Sequence, residues 1–268
     1  MLYSSPEEVQ HHTYWEPRRV HTLIFVLYAA QYIQQLIIFT SPTGASCNWA
    51  LVAVTDEPDG RMKAGVVTIP SLSVVCFVIY GLAFVMELSQ LLLEGARISR
   101  PNWTESIDNI QFVLHQTALC ICYMLMLAIV TRLAGFADRN ALVLVMVMVV
   151  LQFGIDTSVR YYFMTSNAYA NAFDMHDGLI VLWWFAFAFL WSRIFALFIM
   201  DKSSMPEIAQ VMVGAAFIGH AWVGSTLTAV FKFTWGFSTN RIVTSMLNVI
   251  AISVFTWTAH SGGCEPWQ

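Results

Sequence analysis

Charge is what this chain has least of. Asp, Glu, Lys and Arg make up 11% of its 268 residues, against roughly a quarter in a soluble domain. Lysine is the scarcest of them: Lys63, Lys202 and Lys232 are the whole complement. The net charge of -4 and a pI near 5.9 provide no basic surface, so nucleic acid is not an expected partner. No Cys/His spacing resembles a metal site. No internal repeat or low-complexity tract breaks the chain. The first apolar run has no small-residue cleavage site after it, so it is expected to be a membrane helix and not a removed signal peptide.

What fills the sequence is apolar. Hydrophobic residues account for 57%, aromatic residues for 14%, and the mean hydropathy is +0.62. A bilayer core needs about 20 apolar residues per helix. Seven runs meet that length, at 20–39, 70–93, 103–130, 140–161, 179–200, 206–233 and 242–258. The expected fold class is therefore an all-α membrane protein, a single seven-transmembrane-helix bundle over 1–268 with the lipid bilayer as its first partner. The one long connection holds "WALVAVTDEPDGRMKAGVVTI", two β-prone runs about a turn-forming "DEPDG". It predicts a β-hairpin outside the membrane.

Arg18, Arg19, Arg97 and Arg100 flank the first two spans on one side. The positive-inside rule then puts the N-terminus in the cytoplasm and the C-terminus outside or in a lumen, although Arg132, Arg139 and Lys202 fall on the opposite side. Cys47 and Cys264 would both lie outside, where a disulfide can form. Cys76, Cys120 and Cys122 lie within helices and read as small packing residues.

The costly residues inside the apolar runs carry the functional signal. Glu105, Asp108, Gln111 and His115 recur at spacings of three, three and four, which is one face of a helix. His21, Tyr28, Gln31 and Gln35 form a second such face, and Tyr80 precedes Glu87 by two turns on a third. A polar stripe in a membrane helix must face the bundle interior or water, so Glu105, Asp108, His115, Glu87, His21 and Tyr28 are candidates for a buried charge centre or proton relay. Gln31, Gln35, Ser225 and Thr228 read as interhelical hydrogen-bonding groups. Asp156 and Arg160, four apart near a helix end, read as a surface ion pair, and Lys232 as a snorkelling side chain at the inner end of its helix. The run "WWFAFAFLW" is expected to be mostly lipid-facing or core bulk, and aromatic walls of this kind also suit a flat conjugated ligand.

Four stretches together resemble the heliorhodopsins, a family of seven-helix retinal proteins with a cytoplasmic N-terminus. "RRVHTLIFVLYAAQ" is similar to the family's first helix, with Gln31 at its glutamine. The long first loop leading through "TIP" into the second helix is a family trait. "NWTES" resembles the family's Arg-Trp-x-Glu-Tyr-Ser, which places Glu105 at the Schiff-base counterion. "NVIAISVFTW" resembles Ser-x-x-x-Lys-x-x-x-x-Trp on the last helix, with Asn248 at the serine, Ile252 at the retinal-binding lysine and Trp257 at the tryptophan. Tyr28 stands where the family has a histidine, and a second-helix histidine falls at Met86 or Glu87.

The resemblance implies retinal as cofactor and makes Trp183, Trp184, Trp191, His220, Asn248, Ile252 and Trp257 candidates to line its pocket. Isoleucine cannot form a Schiff base, which needs a lysine amine. No lysine lies on the last helix, and Lys232, about 26 residues or roughly 39 Å into the sixth, is too far along to replace it. The leading expectation is a heliorhodopsin-like protein without covalently bound retinal, acting as a light-independent membrane component or a non-covalent retinoid or lipid binder. Two others stand beside it: a photoreceptor or light-gated proton transporter with Glu105 as counterion, and a structural subunit meeting a second copy or another membrane protein. Without its cation, Glu105 is expected to be protonated, hydrated or paired with His115 or His21. No feature points to a soluble substrate or nucleotide, so no enzymatic activity is expected.

Overall fold

The computed structural model describes residues 15–40, 49–56, 62–69, 72–99, 104–134, 139–165, 173–200, 207–232 and 237–262. Seven helices dominate: α1 (Trp15–Thr40), α2 (Leu72–Ser99), α3 (Thr104–Leu133), α4 (Arg139–Thr165), α5 (Phe173–Met200), α6 (Glu207–Lys232) and α7 (Phe237–Gly262). Each contains a stretch long and apolar enough to cross a membrane. Together they make the chain an integral, multi-pass membrane protein. Most of the helices run a turn or so beyond the apolar runs, because largely polar segments such as Trp15–Arg19 and Phe237–Arg241 extend the backbone ladder.

Strands β1 (Trp49–Asp56) and β2 (Met62–Ile69) lie between α1 and α2 and pair antiparallel, with Trp49 opposite Ile69 and Asp56 opposite Met62. β1 rests against α4.

The helices close a ring in chain order, α7 returning to α1, with α3 touching α6 and α2 touching α7 across the middle. Neighbours are antiparallel, and their side chains keep register. Gln90 faces Gln111, and eleven residues on in α3 and eleven back in α2 the Cys122 thiol meets the carbonyl of Ile79. On the other side of α2, Phe25 packs on Phe84 and Tyr32 stacks on Phe77, with ring centroids 5.2 and 5.0 Å apart.

The distribution of polarity is that of a lipid-soluble bundle. Phe185, Val181 and Ile199 stand about two-thirds exposed on the outer surface, where acyl chains would cover them. Inside lie Tyr28, Tyr80, Tyr123, Trp183, Trp191 and Phe255 together with His21, Glu87, Gln90, Gln111, His115, Asp156 and Arg160. Apolar burial supplies no net drive between helices surrounded by lipid. Close packing and hydrogen bonds between these interior groups must hold the ring together.

Candidate functional site

Two clusters occupy the interior. The first is aromatic and sits where α3, α5, α6 and α7 converge. His220 on α6 is fully buried at its centre. The Trp191 indole donates to its Nδ1 at 3.1 Å, which leaves the imidazole proton on Nε2. The rings of Tyr123, Trp183 and Phe187 surround it at centroid distances of 5.6, 5.6 and 5.2 Å. The Tyr123 hydroxyl donates to Asn248 Oδ1 at 2.8 Å, joining α3 to α7.

Two glycines make this packing possible. A β-carbon on Gly219 would come within 2.6 Å of the Ala251 β-carbon and 2.8 Å of the Tyr123 hydroxyl, and one on Gly224 would collide with the six-membered ring of Trp183. The missing side chains of α6 are thus replaced by aromatic groups reaching in from α3 and α5.

This cluster contains most of the residues that the family resemblance assigns to a retinal pocket. Trp183, Trp191, His220, Asn248 and Ile252 are all brought inside. Trp184 is half-buried and donates to the Thr228 hydroxyl at 3.0 Å, on the flank of the cluster. Trp257 does not join them: it is 44% exposed and faces outward. Five residues separate it from Ile252, which turns it about 140° around the helix, whereas Thr256, four residues on, stays buried. The aromatic run of α5 divides in the same way, with Trp183 and Trp191 inside and Phe185 and Phe189 outside.

None of these residues offers a side-chain amine to a Schiff base. Ile252 is fully buried among apolar neighbours and carries no amine. Gly219 marks the level of Ala251 on α6, and Lys232 ends that helix 13 residues later. That is roughly 20 Å along the axis, far beyond a lysine stem.

The second cluster is polar and lies between α1 and α2. His21 Nδ1 and Glu87 Oε2 are 2.9 Å apart, and both side chains are 0% exposed. The antiparallel register of α1 and α2 sets the two residues opposite one another, one turn from the Phe25–Phe84 contact. His21 therefore pairs with Glu87, while the side chain of Glu105, for which His21 is one of the expected partners, lies outside the described residues. The remaining atoms, His21 Nε2 and Glu87 Oε1, have no hydrogen-bond partner among the described residues, nor does the buried hydroxyl of Tyr28. Tyr28 lies within electrostatic reach of Glu87, Tyr80 and Tyr123.

Of the stripe on α3, Gln111 and His115 are buried as expected. The side chains of Glu105 and Asp108 lie outside the described residues, as do those of Lys232, Cys47 and Cys264. Gln90 was not distinguishable from ordinary polar filler in the sequence, yet it forms a reciprocal brace with Gln111. Each amide donates to the other's backbone carbonyl, at 3.0 and 3.2 Å. Its place on the Tyr80–Glu87–Glu94 face of α2 was the available signal.

Asp156 and Arg160 correct a second expectation. They do pair, at 2.8 Å through Arg160 Nε, but they are buried and not at the surface. Arg160 also donates to Thr226 of α6 at 3.1 Å, and Gln116 of α3 lies beside the carboxylate. The i,i+4 spacing correctly gave the pair. It could not reveal that this face of α4 turns toward α3 and α6. Among the described residues no group of three or more metal-ligating side chains converges. Neither a protein-family model nor a curated protein matches the chain.

Proposed function

We propose that the chain is a heliorhodopsin-like membrane protein that works without covalently attached retinal, as a light-independent component of its membrane. One observation carries this reading. Ile252, at the position the resemblance gives to the Schiff-base lysine, is fully buried in the apolar core, one turn along α7 from the Asn248 that accepts from Tyr123. A buried His21–Glu87 pair between α1 and α2 supplies an interior acid–base pair away from that position. In this proposal the N-terminus is cytoplasmic, the β1–β2 ribbon and the C-terminus lie on the other side, and Glu105 is a relic of a counterion.

The test is a visible spectrum of the protein purified with all-trans retinal. We expect no band beyond the absorption of free retinal. A visible band that shifts on Glu105→Gln would overturn the proposal in favour of a photoreceptor.

A second reading, non-covalent binding of a retinoid or lipid chain, is favoured by an apolar groove between α6 and α7. It is lined by Ala215, Ile218, Trp222, Ile250, Ala251 and Val254. Retinoid or lipid that co-purifies and is lost on Ala251→Phe would support it. A second copy or another membrane protein as partner, in the manner of a structural subunit, is tested by the mass of the detergent-solubilised complex.

A further inference from the structure

We propose that the seam between α1, α2 and α7 conducts protons across the membrane in the dark. It begins at the buried His21–Glu87 pair and continues to Tyr28, seven residues further along α1. Beyond it, Tyr80 of α2 lies beside the hydroxyls of Ser253 and Thr256 on α7. Ser253 in turn donates to Gln31 of α1 at 3.0 Å, and Gln35 is buried one turn later. His21 stands near one end of the α1 membrane span Arg19–Ile37 and Gln35 near the other. Their separation is roughly 21 Å of helix, most of a bilayer core.

What marks this seam as a path is its unsatisfied atoms. His21 Nε2, Glu87 Oε1, the Tyr28 hydroxyl and Gln35 Oε1 are all buried without a hydrogen-bond partner among the described residues. A buried polar atom left unmet is costly. Proteins ordinarily satisfy such atoms with ordered water. Four of them on one helix seam call for a file of waters between groups that can exchange protons.

The steps balance without any redox partner. Glu87 or His21 takes up a proton from the side on which α1 begins. The imidazole gains a proton at one ring nitrogen and gives up the one on the other. The Tyr28 hydroxyl accepts at its oxygen and releases its own hydrogen to the next water. Gln31 and Gln35 orient water and carry no proton themselves. The titratable neighbours along the way are Cys122 and Tyr123 of α3, facing Tyr28, and Cys76 of α2, facing Tyr80.

The experiment uses the full chain in phosphatidylcholine–phosphatidylglycerol vesicles loaded with a pH-sensitive dye, kept dark, with a potassium diffusion potential as the driving force. Proton entry is expected well above that of protein-free vesicles. Glu87→Gln and Tyr28→Phe should each lower it by about a hundredfold, the scale on which a positioned proton-transfer group acts. Tyr28→Phe removes a hydroxyl that holds no hydrogen bond among the described residues, so it keeps the test valid if Glu87→Gln fails to fold. Val181→Ala, on the outer surface, should conduct like the parent. A parent flux equal to that of empty vesicles, or full flux in Tyr28→Phe, overturns the proposal. No retinoid is added, so a pigment found in the spectral test would sink the preceding reading and leave this one standing.

Discussion

Trp183 on α5 and Gly224 on α6 are interlocked: the six-membered ring of the indole occupies the space into which a β-carbon on Gly224 would project. The ring then stacks on Phe187 at 5.7 Å and meets His220 edge-on. The α5–α6 contact is therefore built around one absent side chain.

Gly224→Ala is expected to lower stability by about 1–3 kcal/mol, the cost of overpacking a filled core. The measurement is thermal unfolding in detergent. Trp183→Leu, destabilising by itself, should recover part of that loss when combined with Gly224→Ala, because it vacates the contested space. Equal Tm for Gly224→Ala and the parent would contradict the interlock.

Tyr123→Phe should cost about 1–3 kcal/mol, since it strands the Asn248 carbonyl away from water. Asn248→Leu together with Tyr123→Phe should cost less than the sum of the two single changes, because neither partner is then left unpaired. A strictly additive double-mutant cycle would mean that the 2.8 Å hydrogen bond is not made in the membrane.

The buried Asp156–Arg160 pair predicts an asymmetric response. Arg160→Met or Asp156→Leu alone should destabilise by about 3–5 kcal/mol by leaving one charge without its partner. The double substitution should be milder than either. If both single variants melt with the parent, the pair is at the surface, as its spacing alone suggested.

Ile252→Lys is expected not to create a pigment. The new amine would replace a fully buried side chain of the apolar core, where a polyene could enter only if neighbouring side chains repacked. Incubation with all-trans retinal followed by borohydride trapping checks this directly. An adduct at position 252 would show that the cluster opens readily.

How much of this was visible in the sequence differs between the two clusters. The seven helices were legible because a bilayer imposes length and apolarity on every span, and these survive in composition alone. The stripes His21–Tyr28 and Tyr80–Glu87 were legible because a charge within such a span stands out. Tyr123 was not, since a tyrosine in an apolar helix reads as bulk until Asn248 is found opposite. The roles of Gly219 and Gly224 depend on rings from other helices and leave no local trace. Trp257 was misassigned because a match to a family motif fixes its position along the chain but not its rotation about α7. The burial of Asp156–Arg160 was hidden for a similar reason: the spacing sets the pair, while the neighbouring helices set its environment.

The reciprocal amides of Gln90 and Gln111 have a mechanical consequence. Two antiparallel hydrogen bonds between side chain and backbone act as a rivet. Sliding α2 past α3 by even one residue breaks both at once, in a region without bulk water to replace them. These two helices are thus bound to travel as one body. Any working movement of the protein must take place at the other joints of the ring, and the His21–Glu87 contact, riding on α2, will report it as a change in distance from α1.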